Sequence, residues 1–214
     1  MNAWLVQIHV DERHREARRE LADVDRLHKI LMKLLPDDLG DDARALAGLL
    51  FRVEQRAAAT RLLVQTRLEP DLRRLPVGYA RADVRPLGPF LEKLAAGACV
   101  HYRITANPVK RGGRHAGAQS GKIIPLRGAD ADAWWSRRAA DCGLALRTLV
   151  GTPLDDVTGG RDGGGRVRHA LTRFDGVGVI VDPDAARRAV LDGVGRAKSY
   201  GAGLLSLAPL AAGR

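Results

Sequence analysis

Two-residue alternation of apolar side chains gives way to helical spacing, and the whole pattern then starts a second time near residue 97. Trp4 to Val10 reads as a strand, with Leu5, Val6, Ile8 and Val10 suited to a pleated, half-buried surface. His14 to Leu35 reads as helix in two pieces. In the second piece Leu27, Leu31, Leu34 and Leu35 recur at helical spacing beside Ile30, Asp23 is the N-cap, and Pro36 ends the pattern. Leu49–Val53 and Arg61–Leu68 read as two strands, and Pro86–Ala95 as a short helix. The second round opens with the strand Val100–Thr105. Lys110–Lys122 is Gly-rich and basic, with little to bury, and reads as a long mobile loop. A helix over Asp130–Cys142 and a Gly-rich turn over Thr158–Gly165 follow. Next comes a hairpin, Arg166–Phe174 with Val177–Val181, turning at Asp175-Gly176. Pro183 starts a helix that runs to about Leu191, and Leu204–Leu207 closes the chain as a strand. Each half thus reads as strand, helix, two strands, helix, strand. That is the split βαβ order of the ferredoxin-like (RRM-like) α+β fold, in two tandem copies over 1–95 and 96–214. A single larger α+β domain is the alternative.

Charge narrows the partners. The 214 residues carry a net charge of +10, and 29 of the 35 basic residues are Arg. Such a surface suits a polyanion, although heavy Arg, Ala and Gly usage also follows from a GC-rich genome. Aromatic residues are only 4%, too few for a binding mode built on many stacking platforms. No apolar run approaches the roughly 20 residues that span a bilayer. No basic segment precedes Ala3–Val10, and charged Asp11, Glu12 and Arg13 follow, so a secretory leader is not expected. Cys99 and Cys142 lie far apart without metal-ligand spacing, which fits a reducing cytoplasm and no metal or other cofactor.

The segment GVGRAKSYGAG (Gly193–Gly203) places four glycines, two cations and a hydroxyl between a helix and a strand. Glycines let backbone N–H groups approach a phosphate, and Arg196 and Lys198 add charge. The GK[ST] pairing of a P-loop is absent, and a helix rather than a strand precedes it. On spacing alone, a flexible connection with solvated charges explains the segment as well as a phosphate site does.

Extended to GVGRAKSYGAGLLSLAPL (Gly193–Leu210), this segment closely resembles the C-terminus of the CasE family, the endoribonucleases that process CRISPR precursor RNA within Cascade. AWLVQIHV at the first strand, LLVQTRLEP (Leu62–Pro70) and TANPVK (Thr105–Lys110) agree in order and spacing, as do FDG (Phe174–Gly176) and VDP (Val181–Pro183). The resemblance covers nearly the whole chain. It implies two tandem ferredoxin-like domains and metal-independent cleavage at the 3′ base of the repeat stem-loop. Attack by the RNA's own 2′-OH would leave a 2′,3′-cyclic phosphate, and the protein would stay on the hairpin beside the other Cascade subunits. A protein that is monomeric when isolated, cytoplasmic and unattached to membranes is expected.

The helix LADVDRLHKIL (Leu21–Leu31) resembles the family helix whose His is a general acid or base, and that role carries to His28. Pattern alone would leave a lone helical His as an ordinary surface or core residue. The family's usual Tyr three residues earlier is Asp25 here. A carboxylate cannot donate as a phenol does, and it is expected to raise the His28 pKa and favour imidazolium, an acid rather than a base. Lys33 is the candidate to assist catalysis by supplying charge at the transition state, with Lys29 and Lys198 as alternatives. Candidate RNA contacts are Lys29, Lys110, Arg111, Arg161, Arg166, Arg168, Gly195, Arg196, Lys198 and Ser199, with Arg114 on the same basic loop. In a chain so rich in Arg, any one of these also reads as solvated surface. Asn107 and Pro108 end a strand. His14, His115 and His169 fall in basic surroundings. Of the adjacent Trp134 and Trp135, one is expected in the core and the other at a partner surface. A catalytically inactive stem-loop-binding subunit is the alternative that Asp25 keeps open, and a generic tandem ferredoxin-like binding module is a third reading.

Overall fold

Val6, Ile8 and Val10 point to one side of the first strand and are buried, while His9 between them is exposed. This alternation seeds the first of two sheets in a computed structural model of the chain, which describes residues 2–40, 42–56, 59–113, 120–160 and 166–210. Strand β1 (Trp4–Val10) is followed by helices α1 (Arg15–Leu21) and α2 (Val24–Met32), the short α3 (Ala43–Leu46), and strands β2 (Leu50–Arg56), β3 (Ala59–Thr66) and β4 (Ala80–Pro86). The order in the sheet is β4-β1-β3-β2, antiparallel throughout, with Val6 opposite both Val64 and Val84. Leu27, Ile30 and Leu31 of α2, with Leu34 and Leu35, close over Val6, Ile8, Leu62 and Val64 to make one core.

Helix α4 (Gly88–Glu92) leads into the second sheet, built on β5 (Cys99–Ala106). A ribbon of β6 (Val109–Arg111) and β7 (Ile123–Pro125) precedes helix α5 (Ala129–Asp141). Strands β8 (Leu144–Leu146), β9 (Val150–Pro153), β10 (Val157–Gly160), β11 (Arg166–His169) and β12 (Thr172–Ile180) follow, then helix α6 (Pro183–Asp192) and strand β13 (Leu205–Pro209). The order β13-β5-β12-β8, with β9 also on β12, repeats the arrangement of the first sheet. Both halves are therefore ferredoxin-like, as the doubled pattern predicts. Among the described residues no helix is long and apolar enough to cross a membrane.

Several local expectations are corrected. The first sheet closes with β4, which precedes the helix expected over Pro86–Ala95, and only a 3-10 turn at Leu72–Arg74 stands between β3 and β4. Helix α4 then buries Leu91 in the second core, not the first. Asp175-Gly176 makes no turn: β12 runs straight through it. Gly176 pairs with Tyr102, and a Cβ there would lie 2.1 Å from the Thr148 carbonyl oxygen and 2.6 Å from the Tyr102 hydroxyl. The glycine makes room for the tyrosine ring, whose hydroxyl donates to Thr148 O at 2.9 Å. The hairpin in this region is β10–β11, and the Gly163–Gly165 run between its strands lies outside the described residues. Lys110 and Arg111, at the start of the expected loop, belong to β6 and pair with Ile124 and Ile123 of β7 just past its end, while Arg114 and His115 lie outside the described residues. Trp134 and Trp135 are both buried, stacked on Phe174 at 6.5 and 5.8 Å, because a stripe of about 100° on a helix resting flat on a sheet admits both.

Candidate active site

Helix α2 starts where the Asp23 carboxylate accepts hydrogen bonds from the N–H groups of Asp25 (3.0 Å) and Arg26 (3.3 Å), the N-cap the sequence predicts. With Leu27 and Leu31 committed to the core, His28 falls at the edge of the buried stripe and is half-buried. Its ring stacks on Phe51 of β2, with centroids 6.3 Å apart and planes at 27°. Its Nδ1 is buried and has no hydrogen-bond partner among the described residues.

The Gly-rich segment packs against this helix and strand. Its ends are tied by Val194 N–H to Gly203 O (2.9 Å) and by Gly203 N–H to Thr105 O (2.7 Å). Between them Lys198–Tyr200 forms a 3-10 turn entered through Ala197 at φ 61° and left through Gly201 at φ 80°. A Cβ at Gly201 would sit 3.3 Å from the Phe51 ring, so a side chain would press on the ring against which His28 is stacked. The segment is therefore a packed joint between the two halves rather than a solvated connection. Lys198, half-buried, donates from Nζ to the Asp192 carbonyl at 2.7 Å. Ser199 is half-buried in the same turn, and Gly195 and Arg196 are exposed.

Charge in this joint runs against the sequence expectation. Burial lowers the His28 pKa, Arg44 of α3 lowers it further, and Asp25 raises it by less than those two remove. The imidazole is therefore neutral near pH 7, and the expected imidazolium is corrected: desolvation outweighs a partly solvated carboxylate. Lys198 is also lowered, by burial and then Arg44, against Asp192. On the far side of the turn the His169 ring packs against Tyr200, tilted by 31° with centroids 4.5 Å apart, and its pKa is lowered by burial and Arg196.

The other predicted residues are dispersed. Lys33 follows His28 by five residues, hence about 140° around the helix. It is exposed and, with Lys29, Arg26 and Arg19, lines a separate groove of about 350 Å³ between α1 and α2 that also holds Glu16 and Glu20. Arg166 is exposed on β11. Arg168 is paired with Asp156, which also takes Arg127 at 2.9 Å. Lys110 and Arg111 are exposed on the β6–β7 ribbon, and Arg161 lies outside the described residues. Asn107 does end its strand, its buried amide donating to Ala170 O at 3.0 Å.

A crevice of about 700 Å³ opens beside the joint, lined by Leu27, Arg52, Glu54, Arg103, Arg166 and Tyr200 among others. Its floor ties the sheets together. Buried Arg52 holds Glu54 (2.8 Å), Leu204 O (3.2 Å) and Ser206 Oγ (3.1 Å). Arg61 also pairs with Glu54, while Arg103 bridges Glu54 and Asp175. Burial alone would raise Glu54, but hydrogen bonds from Arg61 and the Arg52 charge bring it down to about 2. Among the described residues no group of three or more His, Cys, Asp or Glu side chains is placed to hold a metal ion. Arg44, Phe51, Arg52 and His169 lie in none of the motifs that the sequence offers. Nothing in the sequence separates Arg44 from the other arginines.

Comparison with known proteins matches residues 3–209 to the model of a family described as CRISPR associated protein. The CRISPR-associated endoribonuclease Cse3 of Thermus thermophilus is 33% identical over 96% of this chain and all of its own length. The CRISPR system Cascade subunit CasE of Escherichia coli is 31% identical over 91% of this chain and 96% of its own. A structure of Thermus thermophilus Cse3 bound to an RNA representing a pre-cleavage complex superposes with a TM-score of 0.81, at 32% identity, over 98% of this chain and all of that one.

Proposed function

Since this chain belongs to the CasE family of CRISPR-associated proteins, we propose that it is an endoribonuclease that cuts the CRISPR repeat stem-loop and stays on the product hairpin as a Cascade subunit. The observation that carries the reading is the neutral, half-buried His28 held on Phe51 where the Gly-rich joint meets α2. RNA carries its own nucleophile. His28 takes the 2′-OH proton, through Nε2, since Nδ1 faces the interior. The 2′-oxygen attacks the adjacent phosphorus in line, the P–O5′ bond breaks, and the 5′-oxygen leaves with a proton from water. The products are a 2′,3′-cyclic phosphate and a 5′-hydroxyl, with no metal needed for either proton transfer. Lys198 lies beside this reaction path, and Lys33 and Lys29 reach the RNA along the exposed face of α2. Arg166, Arg168 and Arg196 contact the phosphates of the stem, as do Lys110 and Arg111 on their ribbon. An A-form major groove resists side-chain readout, so phosphate contacts and shape dominate recognition.

Single-turnover cleavage of the organism's own repeat hairpin in EDTA tests this. Cutting at the stem base is expected, and a 2′-deoxy substitution at the cut site blocks it. Cleavage that needs added divalent metal, or that survives the deoxy substitution, overturns the mechanism. Tight binding with no cut moves the reading to the inactive stem-loop-binding subunit, which the departure at Asp25 alone favours.

The joint's cations give a second expectation. The double variant R196Q/K198Q removes up to two phosphate contacts, so the slope of log K against log salt falls by about 1 to 2. Equilibrium binding of the 2′-deoxy hairpin at several salt concentrations measures it, and an unchanged slope removes both residues from the RNA-contacting set.

A further inference from the structure

We propose that Arg44 is the ligand of the scissile phosphate, completing with Lys198 an anion site around His28; this rests on the endoribonuclease reading above. Arg44 lies in α3, outside every motif of the sequence. The chain returns at once from α3 into β2: Leu49 N–H bonds Arg44 O at 3.0 Å, and Arg44 Nη1 reaches Leu49 O at 3.5 Å. The guanidinium is thereby folded over the entry to β2, two residues before Phe51, on whose ring His28 is stacked. The Lys198–Tyr200 turn is seated on the same strand through Gly201 and Phe51. Helix α2, helix α3 and the Gly-rich joint thus all meet the start of the same strand, at Phe51, Leu49 and Phe51 in turn.

Two cations here, Arg44 and Lys198, make no ion pair with a carboxylate among the described residues. Arg52, Arg67, Arg103 and Arg187 each meet a carboxylate. Arg44 has no carboxylate partner among the described residues, and Lys198 meets only the Asp192 carbonyl, since the Asp192 carboxylate pairs with Arg67. Charged groups acting on His28 are Arg44 and the smaller, opposing Asp25; on Lys198 they are Arg44 and the opposing Asp192. Burial is the larger cause of both lowered pKa values, and the positive charge of Arg44 adds to it; that charge, without a carboxylate partner among the described residues, is what an anion would neutralise. The anion offered by the substrate is a phosphodiester that gains charge as it becomes a phosphorane. A guanidinium fork matches two of its oxygens, and it acts most strongly at the transition state.

The test compares R44Q, R44K and H28A in three measurements. These are single-turnover cleavage of the repeat hairpin, affinity for the uncleavable 2′-deoxy hairpin, and NMR titration of the His28 ring in the RNA-free protein. R44Q is expected to slow cleavage on the order of 100-fold. Affinity for the deoxy hairpin holds within about threefold, because a charge that acts mainly on the transition state adds little in the ground state. The His28 pKa rises, because a nearby positive charge has gone. R44K keeps the charge and loses the fork, so cleavage slows about tenfold with the His28 titration unmoved. Wild-type cleavage by R44Q or R44K beside an inactive H28A overturns the Arg44 assignment and leaves His28 standing. An unmoved His28 titration in folded R44Q does the same. Should R44Q fail to fold, R44K decides, since a lysine can meet the Leu49 carbonyl and a purely structural role predicts wild-type rates. Cleavage by H28A overturns both readings.

Discussion

H28A is expected to cut the repeat hairpin 10²- to 10⁴-fold more slowly than the unchanged protein, on the order of the contribution of one general base. Binding of the 2′-deoxy hairpin and the unfolding midpoint should stay close to those of the parent, because His28 is only half-buried and makes no described hydrogen bond. The pH profile supplies the sign. A base works deprotonated, so the rate falls with acid through the His28 pKa and is flat above it. Burial and Arg44 set that pKa below the ordinary 6.5. The single-turnover rate is therefore flat from neutral pH upward, and its acid limb lies under 6.5. A rate that instead falls as pH rises through the midpoint means that His28 acts as an acid. Loss of binding in a well-folded H28A makes the residue an RNA contact instead.

R52M should lower stability by about 3–5 kcal/mol, the usual cost of removing one partner from a buried ion pair. For a chain of this size that is a fall in midpoint of roughly 10 °C. Three things are lost together. Glu54 keeps Arg61 but loses its buried partner, the Leu204 carbonyl loses its described side-chain donor, and Ser206 loses its tie to β2. The two sheets meet here, so joint and crevice loosen together, and cleavage falls with stability. The acid dependence follows from Glu54. Its folded pKa, about 2, lies below the ordinary 4.5, so its contribution is present above pH 4.5 and is lost as pH falls toward 2. Thermal unfolding followed by circular dichroism from pH 7 to 3 should show R52M losing less with acid than the parent does. A midpoint within about 2 °C of the parent at pH 7, where that much corresponds to less than about 1 kcal/mol, rejects the network as the tie between the sheets.

The two strand–helix openings, the N-cap at Asp23 and the core face of α2 were all legible in the residues, and so was the doubled ferredoxin-like order. The Asp175-Gly176 pair was misleading because its dipeptide is a good local turn signal, whereas the deciding contact is the Tyr102 ring from β5. Strands β4, β8 and β9 were missed for a related reason. β4 is an edge strand with little buried surface, so its alternation is faint, and the other two span only three or four residues.

At the candidate site the division is sharper. On its amphipathic helix His28 is an ordinary residue by pattern, and only the family resemblance gives it an expected role. Helical periodicity also dictates that Lys33 cannot share its face, since both follow from residues within two turns. The charge state of His28 could not be read there. Asp25 is its neighbour in sequence, but Arg44, Phe51 and the Lys198 turn meet it only when the chain folds back across as many as 170 positions. Hydrophobic periodicity is a property of near neighbours and is written along the chain. Desolvation and charge compensation depend on what distant segments bring to the same few ångströms, and the packing of the two sheets sets them.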